Sequence, residues 1–197
     1  MKNGEMWFDA SGNPIQSHGG YIIKHEGKWY WYGENKGVDN VPGTTRVPFV
    51  GISCYISSNL RDWRFAGNVL EADRHDPANP LHTSRVCERP KVIYNQKDRR
   101  FILWMHLDNE NYNFARAGVA VSGSPTGPFQ FLADRHVNRT DCRAYLVHSG
   151  DWNKTLYISQ LNDDYTDFTD LYCKTMIDQE REAPALFFYD KRANDLL

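Results

Sequence analysis

The stretch CERPKVIYNQKDRRFILWMH, residues 87–106, decides the fold. Two β-rich runs, KVIYN and RFILWMH, flank the polar turn Asn95–Arg99, and the pattern is that of a hairpin. Its head carries Glu88, Arg89 and Pro90. A charged pair opening an apolar hairpin is ordinarily a solvated strand end, so the meaning of Glu88 depends on whether the pattern recurs. It does. GGYIIKHEGKWYWYGE (19–34) repeats it with a turn at His25–Lys28, and CRAYLVHSGDWNKTLYISQL (142–161) and EAPALFFYDKRAND (182–195) read as further copies.

A second unit follows these hairpins: an apolar strand, then a small polar turn ending in an aromatic residue. It appears as VGISCYISSNLRDWRF (50–65), AGVAVSGSPTGPFQF (117–131) and TLYISQLNDDYTDF (155–168), with Trp63, Phe129 and Phe168 in matching places. Hairpin plus outer unit recurs at roughly 40 to 70 residues, the scale of four-stranded propeller blades. A β-sandwich would also supply short strands, but not the same punctuation three times. The sequence therefore predicts an all-β propeller with almost no helix. Its blades cover about residues 15–70, 88–133 and 141–170, with a partial fourth after Glu182.

Composition narrows the function. The chain has 197 residues, 41% hydrophobic and 24% charged, as in ordinary globular proteins. A formal charge of −2 without a basic run argues against nucleic acid. No segment approaches the roughly 18 apolar residues of a membrane helix, and the N-terminal residues lack the apolar core of a signal peptide. Cys54, Cys87, Cys142 and Cys173 have neither zinc-site spacing nor the density of a disulfide framework. NRT at 138 and NKT at 153 fit the glycosylation sequon, a triplet common by chance. Aromatic residues make up 14% of the chain; most serve strand packing, and some are suited to stacking on sugar rings.

In a propeller the first strand of each blade lines the channel, and the residue just ahead of it points into a shared funnel. SHGG, CERP and EREAP hold that place here. The repeat therefore brings Glu88 and Glu182 toward one pocket despite their distance in sequence. Two carboxylates in an aromatic-lined funnel suit glycoside cleavage, which needs an acid for the leaving oxygen and negative charge near an oxocarbenium-like transition state.

These residues carry a resemblance. PIQSHGGYIIKHEGKWYWYGE, RVCERPKVIYN, WMHLDNENYNFARAGVAVSGSPTGPF and REAPALF resemble, in the same order from about residue 13 to 188, glycoside hydrolase family 43, the five-bladed propeller glycosidases, and within it the exo-β-1,3-galactanase-like branch. The resemblance implies an inverting hydrolase acting on β-1,3-galactan or arabinogalactan-type plant polysaccharide. Glu182 in REAP would be the general acid and Glu88 in CERP would bind the sugar at the cleavage subsite. His18 and the polar loop with Asp108 and Tyr112 are further candidates for substrate contact, alongside Asn109, Asn111 and Arg116. The usual blade-one Asp base is absent, with His18, Gly19 and Gly20 in its place; the galactanase branch uses an amide on a later blade. FLADRHVNRTDCRAYL (131–146) is shorter than the family's third-blade opening, leaving Asp134 as a weak candidate for the pKa-tuning Asp and Asp141 as a turn remnant.

The resemblance further implies a secreted or periplasmic protein with an oligo- or polysaccharide partner and no cofactor; calcium in the central channel, near His18, His106 and His148, is the one ion it admits. FFYDKRANDLL ends where a blade-four turn should feed its next strand. The whole chain, residues 1–197, accordingly reads as a single propeller domain incomplete at about three and a half of five blades, a fragment or the product of a frameshifted gene. An open sheet edge would favour self-association. The competing readings are a non-catalytic sugar-binding or degenerate propeller, and an arabinan- or xylan-directed hydrolase, which would usually keep the blade-one Asp.

Overall fold

The computed structural model describes residues 4–114, 116–135, 145–162 and 164–179. Among them there are eleven strands and no helix. The chain forms two compact units, Met1–Val137 and Asn138–Leu197.

The first unit contains two four-stranded antiparallel sheets, each in simple sequential order. Blade one comprises β1 (His18–His25), β2 (Lys28–Glu34), β3 (Gly51–Ser57) and β4 (Arg64–Glu71). Blade two comprises β5 (Val86–Asn95), β6 (Arg100–Asp108), β7 (Arg116–Ser122) and β8 (Gln130–Arg135). Both inner hairpins turn where the sequence places them. The β1–β2 link is only Glu26 and Gly27, both with positive φ (46° and 76°), the left-handed pair that a two-residue hairpin requires.

β1 and β2 pack against β5, and one core joins the two blades. Tyr32, Ile52, Val69, Val92, Leu103, Leu107 and Phe129 are all buried there. Polar contacts also cross between the blades inside it. The Phe129 N–H donates to the Val69 carbonyl at 2.7 Å, and the Tyr32 hydroxyl donates to the Pro125 carbonyl at 2.6 Å. β6 is buried along nearly its whole length, which explains why FILWM is a continuous apolar run rather than an alternating one.

The second unit holds a three-stranded antiparallel sheet of β9 (Tyr145–Gly150), β10 (Thr155–Leu161) and β11 (Phe168–Thr175), with β10 central. Its β9–β10 turn keeps Asp151, Trp152 and Asn153 at φ of 52°, 57° and 64°. One expectation changes here. Trp63 and Phe129 each close a turn between the third and fourth strands of a blade and are 1% and 5% exposed. Phe168 instead opens β11, the third strand of its sheet, and is only half-buried. TLYISQL had to serve as both a second and a third strand in the sequence reading; the topology makes it second. The predicted fourth hairpin lies outside the described residues.

Candidate functional site

The heads of β1 and β5 share a backbone device. In blade one His18 pairs with Glu34 and Tyr21 with Tyr32, so Gly19 and Gly20 face one residue. In blade two Glu88 pairs with His106 and Lys91 with Trp104, so Arg89 and Pro90 face one residue. Each is a β-bulge, with its first extra residue left-handed: Gly19 at φ 59° and Arg89 at φ 52°. Glycine takes that conformation freely and Arg89 does so at a cost. Pro90 is tolerated because a bulge does not need its missing N–H. The bulge explains why a carboxylate and a guanidinium sit side by side: it swings Glu88 toward the site while Arg89 stays exposed.

The two bulges adjoin. Glu34 Oε1 lies 3.4 Å from both His18 Nδ1 and the Arg89 N–H, which donates to it. The Lys91 ammonium rests over the Tyr21 ring, 5.4 Å from its centroid.

Each blade builds a chain of three ionisable groups from matching positions. In blade one the second-strand residue Glu34, 2% exposed, meets His18 at 3.4 Å and Lys36 Nζ at 2.7 Å. In blade two the second-strand residue His106 meets Glu88 Oε2 at 3.7 Å and Asp108 Oδ2 at 3.0 Å. Blade one thus has an anion between two basic groups, and blade two a basic group between two anions. Sequence reasoning missed Glu34 and Lys36 and named His106 only as lying near the channel. Hairpin register counted from the turns would set Gly19 opposite Glu34 and Arg89 opposite His106; the bulges bring His18 and Glu88 there instead.

Glu88 is held from two sides. Its Oε1 accepts the Tyr112 hydroxyl at 2.9 Å, and Tyr112 itself has φ 52°. Burial opposes ionisation of Glu88, but His106, Tyr112 and Lys36 outweigh it and hold the carboxyl below its ordinary value. The same balance raises His106: burial disfavours its charge, and Glu88 and Asp108 more than compensate. Burial and the Glu88 carboxylate push the Tyr112 hydroxyl up to about 12, so it remains a donor. Opposed shifts of this kind mark functional sites more often than chance.

A cleft of about 360 Å³ opens beside Glu88, with Lys36, Arg46, Arg85, Glu110 and Tyr112 among its lining, at the small end of ordinary ligand sites. Of the sequence candidates, Glu88 and Tyr112 line it. His18 does not line it; its side chain is 73% exposed and meets Glu34, which in turn meets the lining residue Lys36. Asp108 does not line it; it is 2% exposed with both oxygens engaged by protein. Asp134 lies on β8, the outermost strand of blade two, 3.1 Å from Arg116 Nη1, an ion pair within its own blade. Glu182 and Asp141 lie outside the described residues. His148, in the second unit, stacks on Tyr157 at 5.2 Å and contacts Ser159 Oγ at 3.1 Å. Burial lowers its pKa to about 4.

Both nitrogens of His106 face carboxylates, and among the described residues no group of three or more His, Cys, Asp or Glu could hold a metal ion.

Four-stranded antiparallel blades with a carboxylate at the strand head define a propeller of the glycosidase type. Solved structures agree. The chain is similar to a family 43 β-1,3-galactosidase crystallised with galactodeoxynojirimycin, at 29% identity and TM-score 0.81, over 96% of this chain and 70% of that one. It is similar to an exo-β-1,3-galactanase from Clostridium thermocellum at 33% identity and TM-score 0.79, over 96% and 44% of the two chains. A third, the Phanerochaete chrysosporium exo-β-1,3-galactanase crystallised with β-1,3-galactotriose, shares 31% identity and TM-score 0.80 over 92% and 43%. No family model and no curated protein matches. The chain belongs to glycoside hydrolase family 43, and the neighbours named are β-1,3-galactosidases and galactanases. It spans less than half the length of the two galactanases.

Proposed function

We propose that the cleft beside Glu88 binds a terminal galactose-configured sugar and that the chain serves the hydrolysis of β-1,3-linked galactan. The observation that carries this is the Glu88 carboxylate, which lines the cleft and is held by Tyr112 and His106. A carboxylate fixed from two sides has lone pairs left for sugar hydroxyls, and such charge-assisted hydrogen bonds are the strong ones. Relatives that act on β-1,3-galactose, one of them crystallised with galactotriose, support the choice of sugar.

Glu182, in the REAP motif, is our general acid: it would protonate the leaving oxygen while water attacks the opposite face of the ring. The blade-one position where many family members carry an Asp base holds His18. We assign no base within this chain, and binding without fast turnover is the expected behaviour. The arabinan and xylan alternatives are disfavoured by the same substitution.

The test is calorimetric titration of the 197-residue chain with galactose and β-1,3-galactotriose, plus an assay of galactose release. Glu88→Gln should weaken binding by about tenfold or more, the loss of one charged hydrogen bond. Glu182→Gln should leave binding intact and abolish residual release. Undiminished binding by Glu88→Gln would refute the assignment.

A further inference from the structure

Asp108 closes β6 as a carboxylate with 2% exposure, and a buried charge persists only when its hydrogen bonds are made. Its two oxygens do different work. Oδ2 faces His106 Nε2 at 3.0 Å. Oδ1 accepts the N–H groups of Asn109 at 2.9 Å and Phe114 at 2.8 Å. The first contact orients an imidazole whose other nitrogen faces Glu88 Oε2. The second folds loop 109–114 back on its own start, and that loop carries Tyr112, the donor to Glu88 Oε1.

The contacts close a ring: Glu88 to Tyr112, through the loop to Asp108, then His106, and back to Glu88. The matching place in blade one is held by Lys36, which touches its own second-strand residue Glu34 in the same way with the charges reversed. The position therefore recurs as a brace for the group facing the strand head.

We propose that Asp108 is a positioning residue that sets both partners of Glu88, orienting His106 through one carboxylate oxygen and the Tyr112 loop through the other. It rests on the reading of Glu88 as the sugar-binding carboxylate. Asp108 then touches no substrate, and its removal acts through charge and geometry. His106 is faced by Glu88 from β5, Asp108 from its own strand and the Tyr112 ring from the loop, 6.1 Å away. Taking away one of its two carboxylates lowers its proton affinity, and a less cationic His106 holds Glu88 less firmly.

The experiment is an NMR titration of the His106 ring and the Glu88 carboxyl in the labelled 197-residue chain, as wild type, Asp108→Asn and His106→Gln, with galactose titrated into each. Asp108→Asn should move the His106 midpoint down by about one pH unit, a tenfold change in its protonation equilibrium. It should also shift the amide resonances of Asn109 and Phe114 and weaken galactose binding, most strongly above the new midpoint. His106→Gln, a milder change should Asp108→Asn unfold, should raise the Glu88 midpoint. An unmoved His106 midpoint in a folded Asp108→Asn chain, or an unmoved Glu88 midpoint in His106→Gln, overturns the proposal. If the midpoints move as stated while galactose shifts no resonance even of the wild-type chain, the positioning network stands and the sugar-binding reading falls.

Discussion

Glu34 offers a sharp test of how the two bulges are held together. It is 2% exposed and touches His18, Lys36 and the Arg89 N–H, so it ties β1, β2 and β5 at one point. Glu34→Gln keeps an acceptor for Arg89 and loses the charge. Lys36 is 31% exposed and regains water, so the ionic contact contributes about 0–1 kcal/mol, as for surface pairs. The Gln variant should cost about 1 kcal/mol. Glu34→Ala also removes the acceptor of a half-buried N–H, about 1–3 kcal/mol, and leaves a void where atoms were packed. Relief of carboxylate burial offsets part of that, leaving about 2–4 kcal/mol. Five of the six tryptophans, Trp7, Trp29, Trp31, Trp63 and Trp104, belong to the first unit, so urea unfolding followed by tryptophan fluorescence reports that unit. The Ala variant should also bind galactose about tenfold more weakly, because the Arg89 bulge that aims Glu88 loses its anchor. A Glu34→Ala chain as stable as wild type, or Gln and Ala variants equal in cost, would refute the reasoning.

Stability should depend on pH through the Glu88–His106 pair. A lowered Glu88 contributes above its ordinary 4.5 and loses that contribution as pH falls through its folded value; a raised His106 contributes below its ordinary 6.5 and loses it as pH rises through its folded value. The stability difference between wild type and His106→Gln should therefore peak between 4.5 and 6.5 and shrink on both sides, as read by melting at stepped pH. Gly33→Ala should destabilise by about 1–3 kcal/mol or more, since its new methyl would overlap the Ser17 backbone; an unchanged denaturation midpoint would contradict this. Trp63→Ala should cost about 3–5 kcal/mol, given 1% exposure and a ring 5.3 Å from Trp31. Trp63→Phe should cost clearly less, because it removes a buried indole N–H that has no partner; equal losses would show that the N–H is satisfied.

What the sequence by itself determined about this protein is its local grammar. The hairpins turn where His25–Lys28 and Asn95–Arg99 place them, and the blades fall close to their predicted spans, because alternation, turn chemistry and aromatic punctuation act over a few residues. The placement of Glu88 at a strand head and of Tyr112 in a polar loop was legible for the same reason. Tertiary structure decided the partnerships. Glu34 faces His18, and His106 faces Glu88, only through a pairing register that passes over a bulge, and a slip of one residue would send every one of these side chains to the other face. It also decided that Asp108 is buried as a brace, that Asp134 pairs with Arg116 on the outermost strand of its blade, and that Phe168 opens a third strand. Each of these depends on which strand lies beside which. That is settled by the core shared between packed sheets, where charges meet across chain distances that no local pattern spans.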